Sequence, residues 1–175
     1  GGGLVRFYNG EISHLRKTNG LAEDYVSALF EDREGSLWIG TRNGLTQISD
    51  LKFPAASTAD GLLSEPVHGV CTASNGGIWC ATSAGIYNYY NHSVYNIPPP
   101  TNSSFYVKRV LEAHDGDLYA LDGRREIQIF SNGRLVATYS NGDWPVGLTE
   151  DSHGVIVSLG PRIFRVNRQG LTPFT

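Results

Sequence analysis

The 175-residue chain is 40% hydrophobic and 18% charged, with 21 glycines and a net charge of −3. The length suffices for a buried core, and the low charge excludes a disordered or coiled-coil chain. The small net charge gives no electrostatic footprint for nucleic acid or an anionic membrane, and no apolar run approaches the roughly 18 residues of a membrane span.

The chain opens on Gly1-Gly2-Gly3, contains no methionine, and shows no signal peptide. It therefore reads as a processed or excised piece. Residues 3–16 supply two strands, the third and fourth of an incomplete unit. A first full unit follows, with strands expected at 25–31, 36–41, 45–49 and 51–55. The next expects strands at 67–73, 78–82, 86–90 and 93–97, the third at 107–113, 117–121, 126–130 and 135–139, and the fourth at 146–150, 155–159, 163–166 and 171–174. Arg33-Glu34-Gly35, Asn75-Gly76 and Asp115-Gly116 are hairpin signals, because glycine accepts the positive φ of tight turns. No apolar period of 3.6 persists, and Pro98-Pro99-Pro100 breaks any helix there.

The units are copies of one another. Gly35, Gly76, Gly116 and Gly154 recur at intervals of 41, 40 and 38 residues. Each precedes a large residue by three: Trp38, Trp79, Tyr119 and Val157. Gly44 and Gly85 form a second marker 41 residues apart, and Gly20-Leu21 and Gly61-Leu62 a third. Four short strands per unit of about 40 residues is the signature of β-propeller blades. The expected fold is all-β: four full blades of four antiparallel strands plus a partial one. The partial blade covers 3–17 and the full blades about 18–57, 58–97, 98–140 and 141–175. Four and a half blades fit no usual closure rule. The expectation is a fragment of a larger, for example seven-bladed, propeller, or a chain that covers its open blade edges by self-association.

The strings EDREGSLWIGTRNGL at 31–45 and NGGIWCATSAGI at 75–86 resemble two-component regulator propeller repeats. The resemblance covers 18–49 and 59–90 and fades beyond 106. It implies the periplasmic or extracytoplasmic sensor part of a bacterial sensor histidine kinase or hybrid regulator, with signal input and no catalysis. A protein-interaction scaffold and a propeller lyase or glycosidase are the alternatives, since propellers host many functions.

Periodic residues read as structural: Gly35, Trp38, Gly44, Gly76, Trp79, Gly85, Gly116 and Gly154. Glu31 and Asp32 belong to a turn, and Asp115-Gly116-Asp117 is a turn rather than a calcium loop. No two of His14, His68, His92, His114 and His153 have zinc-ligand spacing, and His114 and His153 sit in turns. No nucleophile elbow or phosphate loop occurs. No catalytic residue, metal or cofactor is expected.

Two registers are open at the second hairpin. A two-residue turn at Asn75-Gly76 sets Cys71 opposite Cys80, and a glycine bulge sets it opposite Trp79. Free buried cysteines are expected.

Ligand contacts are expected on the rim formed by loops between second and third strands and between blades. The inter-blade loops are 21–24, 62–66, 98–106 and 141–145. Arg42, Arg124 and Arg125 suit an acidic ligand, and Tyr25, Tyr106 and Trp144 suit stacking on a sugar or aromatic group. Tyr87, Tyr89, Tyr90 and Tyr95 are expected in inter-blade packing. The expected partner is an unidentified small molecule, with a glycan as one class, and the remainder of the propeller or a second copy at the open edges. No nucleic-acid partner is expected.

Overall fold

The computed structural model describes residues 2–8, 10–48, 55–56, 66–91, 93–98 and 106–174. The expected strand residues 51–54, the marker Gly61-Leu62, His92 and most of the inter-blade loops 62–66 and 98–106 lie outside the described residues.

β1 (Leu4–Tyr8) and β2 (Glu11–Leu15) form a two-stranded antiparallel ribbon, as expected for two outer strands. One 3-10 turn, Lys17–Asn19, leads on, which the sequence reading did not anticipate. The first full blade is β3 (Val26–Glu31), β4 (Leu37–Thr41), β5 (Gly44–Ile48) and β6 (Ala55–Ala56). The second is β7 (Val67–Thr72), β8 (Ile78–Thr82), β9 (Ile86–Tyr90) and β10 (Ser93–Ile97). The third is β11 (Val107–Glu112), β12 (Leu118–Asp122), β13 (Glu126–Ser131) and β14 (Arg134–Tyr139). The fourth is β15 (Pro145–Asp151), β16 (Gly154–Leu159), β17 (Arg162–Asn167) and β18 (Gly170–Pro173). Every blade is an antiparallel meander in chain order, so the fold is a β-propeller. The first strands β3, β7, β11 and β15 lie beside one another in succession about the axis.

The core lies between blades. Strand residues alternate faces, so each blade presents one apolar face to each neighbour. Trp38 and Leu45 of the first blade pack on Ile78, Cys80, Tyr87 and Tyr89 of the second. Cys71, Ala81, Ile86 and Ile97 of the second meet Val107, Leu118, Ala120 and Phe130 of the third. Tyr119, Leu121, Ile127 and Ile129 of the third meet Val157, Leu159 and Val166 of the fourth. Each fully buried aliphatic or aromatic side chain in these layers stabilises by roughly 1.5–3 kcal/mol before entropy is counted.

Gly76 N donates to Ala73 O at 3.0 Å, Ala73 N donates to Gly77 O at 2.8 Å, and Gly76 has φ +84°. This glycine bulge decides the register: Cys71 opposes Trp79, and Cys80 opposes Val70. The two cysteines therefore point to opposite faces of the blade, into different apolar layers, and both are free. Two other expectations are refined. Asp32 Oδ1 accepts from Glu34 N and Ser36 N as a turn residue should, while its Oδ2 also accepts from Trp38 Nε1 at 2.6 Å. Tyr87 and Tyr89 are buried between blades, but Tyr90 is half exposed, because it closes β9 at the hairpin end. Tyr95 is also exposed, although its hydroxyl lies against Gly133 of the next blade.

Candidate functional site

The first strand of every blade carries one bulge at the same place. Register shifts fall between Val26 and Ala28, Val67 and Gly69, Val107 and Arg109, and Pro145 and Gly147. The extra residues are Ser27, His68, Lys108 and Val146, each eight positions before its blade's repeat glycine. A bulged residue leaves the pleat alternation, so its side chain can turn away from both blade faces. All four line one cavity of about 440 Å³ with Arg109 and Trp144, at the shared inner edge of the blades.

Two positions earlier stands a second ring: Tyr25, Pro66, Tyr106 and Trp144, each ten before the repeat glycine. Three of these four are aromatic and exposed, by 41, 39 and 47% respectively. The loop between second and third strands pins them by a recurring bond. Arg42 N donates to Tyr25 O at 3.3 Å, Gly123 N to Tyr106 O at 2.7 Å and Gly160 N to Trp144 O at 2.9 Å. Gly123 is required there, since a Cβ would stand 2.4 Å from Tyr106 Cδ1.

Cations gather on this aromatic ring. The Arg42 guanidinium stacks 3.6 Å from the Tyr25 centroid. Lys108 Nζ lies 5.0 Å from the Trp144 ring and 5.8 Å from the Tyr106 ring. Arg125 Cζ lies 4.7 Å from Trp144, and its Nη1 donates to Gly142 O at 2.9 Å. The His68 ring sits 4.5 Å from Tyr106, with Nε2 3.1 Å from Ser83 Oγ. Arg109 Nε donates to Val146 O at 3.0 Å, which locks the third blade to the fourth at the mouth.

Of the residues expected from sequence, the structure joins Tyr25 with Arg42, and Tyr106 and Trp144 with Arg125 through Lys108. Arg124 is exposed on the same loop, and its N–H donates to Asp122 Oδ1 at 3.3 Å. His68 and Lys108 were not anticipated. Their fixed offset from the repeat glycine was the available signal.

Asp122 is the one buried acid beneath this rim among the described residues, and burial raises its pKa above the usual carboxylate value. It occupies the place of Thr41 and Thr82, whose hydroxyls donate to Gly44 O and Gly85 O.

The opposite rim differs in kind. Its acids Glu31, Asp32, Glu34, Glu112, Glu150 and Asp151 end first strands or occupy the following turns. Several are consumed in structural bonds. Glu112 accepts from Ser74 N, Ser74 Oγ and Trp79 Nε1 of the preceding blade, and Glu150 accepts from His114 N and lies 2.7 Å from His114 Nδ1. Arg165 pairs with both oxygens of Asp151 at 2.7 and 2.8 Å, which holds that carboxyl far below its usual pKa. The fold thus separates charge that the net value of −3 conceals.

Residues 20–43, which contain the Asp32 turn, Trp38 and Arg42, match the family model of the two-component regulator propeller. The chain carries a two-component regulator propeller repeat. Among solved structures, this propeller is similar to virginiamycin B lyase from Staphylococcus aureus, seen with quinupristin, with a TM-score of 0.77 and 18% identity. The match covers 95% of this chain and 60% of the lyase. It is also similar to the extracellular domain of a one component system from B. thetaiotaomicron, with a TM-score of 0.68, 18% identity and coverage of 87% and 22%. A hybrid two component system of the same organism gives an extracellular domain at TM-score 0.63, 20% identity and coverage of 91% and 23%. The chain therefore spans less than two thirds of each of these proteins, and at these identities the likeness establishes the shared fold. No curated protein sequence matches the chain. Among the described residues no helix is long and apolar enough to cross a membrane.

Proposed function

We propose that this propeller is a signal-input segment of an extracytoplasmic bacterial sensor, and that it binds a small molecule at the axial mouth without transforming it. The observation that carries this reading is the mouth itself. Four blades deliver chemically unlike side chains, Ser27, His68, Lys108 and Val146, from one repeated position into a single cavity. Structural positions recur in kind; these recur only in place, as specificity residues do. The regulator propeller repeat at 20–43 and the likeness to extracellular sensor domains support the sensing role.

Signalling would follow from differential affinity. A ligand held by more than one blade favours the arrangement in which those blades present their mouth residues together.

Thermal melts of the purified chain with a small-molecule panel test this, since a ligand that binds only the folded state raises Tm. At least one compound should raise Tm, be recovered unchanged by NMR, and lose its effect in Trp144→Ala. Conversion of the compound would instead favour a lyase. Shifts that survive Trp144→Ala but vanish with lower-rim substitutions would move function off the mouth.

A further inference from the structure

The geometry points to a carboxylated sugar, a uronic-acid unit, as the ligand class of the mouth, held by Lys108 and Arg125 against Trp144; this rests on the small-molecule sensing reading above. Lys108 and Arg125 approach the same indole, at 5.0 and 4.7 Å, from two adjacent elements: the bulge of β11 and the loop between β12 and β13. No carboxylate among the described residues forms an ion pair with either. Arg162 and Arg168, by contrast, each have an acid. Each cation is held by the ring's π face rather than by a carboxylate. An anionic group that reaches either cation beside Trp144 gains charge-assisted hydrogen bonds that no carboxylate of the described residues supplies.

The remaining surface sets the rest of the ligand. Trp144 and Tyr106 offer partly exposed rings, which accept the flat C–H face of a pyranose. His68 lines the cavity wall with its Nε2 3.1 Å from Ser83 Oγ, a polar edge that sugar hydroxyls can meet. A cavity of about 440 Å³ lies in the range of small-ligand sites. A nucleotide would ask for phosphate-cradling backbone amides at a helix start, and the mouth is built from strands and loops.

Isothermal titration of the chain with tri-galacturonate and with neutral galactotriose, both with EDTA present, tests the assignment. Tri-galacturonate should bind at least about tenfold more tightly than galactotriose, the worth of one charge-assisted bond. Lys108→Ala and Arg125→Ala should each weaken it by about tenfold or more, and added salt should weaken it further. Arg162→Ala removes a rim cation that has its own acid, and should leave affinity unchanged. Equal affinity for both saccharides would overturn the acidic class while leaving the mouth as a sugar site. Binding of tri-galacturonate that is indifferent to Lys108→Ala and Arg125→Ala would overturn the location. Binding of neither saccharide would overturn the uronate assignment, and the panel of melts then decides separately whether the mouth senses any small molecule. Circular dichroism of each variant confirms that a lost signal is not lost folding.

Discussion

Arg168 holds Asp117 with two parallel bonds, Nε to Oδ2 and Nη2 to Oδ1, each 2.5 Å long. Arg168 stands on the last hairpin of the fourth blade, and Asp117 at the buried start of β12 in the third. The same guanidinium donates to Ser131 Oγ at 2.8 Å. One side chain thus ties two hairpins of the third blade to the outer edge of the fourth.

That pairing predicts acid sensitivity. The bonds from Arg168 hold the Asp117 carboxyl below its usual pKa. A depressed folded pKa adds stability that is complete above the unfolded value, about 3.9, and is lost as pH falls through the lower folded value. Urea midpoints should therefore drop more steeply below about pH 4 in the wild type than in Asp117→Asn. Arg168→Ala should destabilise more at pH 7 than the double variant predicts by additivity, because it strands a buried carboxylate. Parallel pH slopes in wild type and Asp117→Asn would refute this.

Asp122 should behave in the opposite sense. Burial raises its folded pKa, so the ionised form costs stability, and stability declines as pH rises from the unfolded pKa through the folded one. Asp122→Asn keeps an acceptor for Arg124 N and removes the charge. It should raise Tm at pH 7, with the gain shrinking toward pH 4, as melts at the two pH values would show.

The thiols should be silent. Burial pushes the Cys71 thiol up to about 12 and moves Cys80 higher still. Since the thiolate is the reactive form, a disulfide-exchange reagent at pH 8 should label neither cysteine in the native chain and both in denaturant. Gel mobility should not depend on reductant. An oxidant-induced Cys71–Cys80 bond under native conditions would contradict the register.

At Gly69 the second blade lies close against the backbone of the third. A Cβ there would meet Lys108 O at 2.7 Å and Arg109 Cα at 3.2 Å, both backbone atoms that cannot swing aside. Gly69→Ala should cost about 1–3 kcal/mol in chemical denaturation. Gly116→Ala, where the Cβ would meet nothing, should act through its positive φ alone and leave the inter-blade spacing intact.

The blades were legible because their packing residues repeat in kind. Trp38 and Trp79, and the turn glycines before them, answer the same physical demand in each unit, so spacing alone located nearly every strand to within a residue or two. The mouth was only half legible. Tyr25, Tyr106 and Trp144 stand out in the sequence as aromatics near loops, and their identical offset from Gly35, Gly116 and Gly154 is the signal that makes them one ring. Lys108 and His68 share no chemistry with Ser27 or Val146, so only the bulge, a backbone event, reveals their equivalence. The turn at Asn75-Gly76 admitted two registers because glycine serves both, and the hydrogen bonds of Ala73 decide between them.

The bulges have a consequence for inheritance. A residue on a regular strand answers to its neighbours on one blade face, so its replacement disturbs an apolar layer. Lys108 and Val146 are relieved of that obligation, whereas Ser27 Oγ donates to Gly40 O and to Val67 O of the next blade, and His68 packs on Tyr106. Mutation can exchange Lys108 and Val146 one at a time with little effect on folding, and each exchange rewrites a different part of the mouth. A scaffold of this kind can drift from one recognised molecule to another through folded intermediates, each differing from the last by a single side chain.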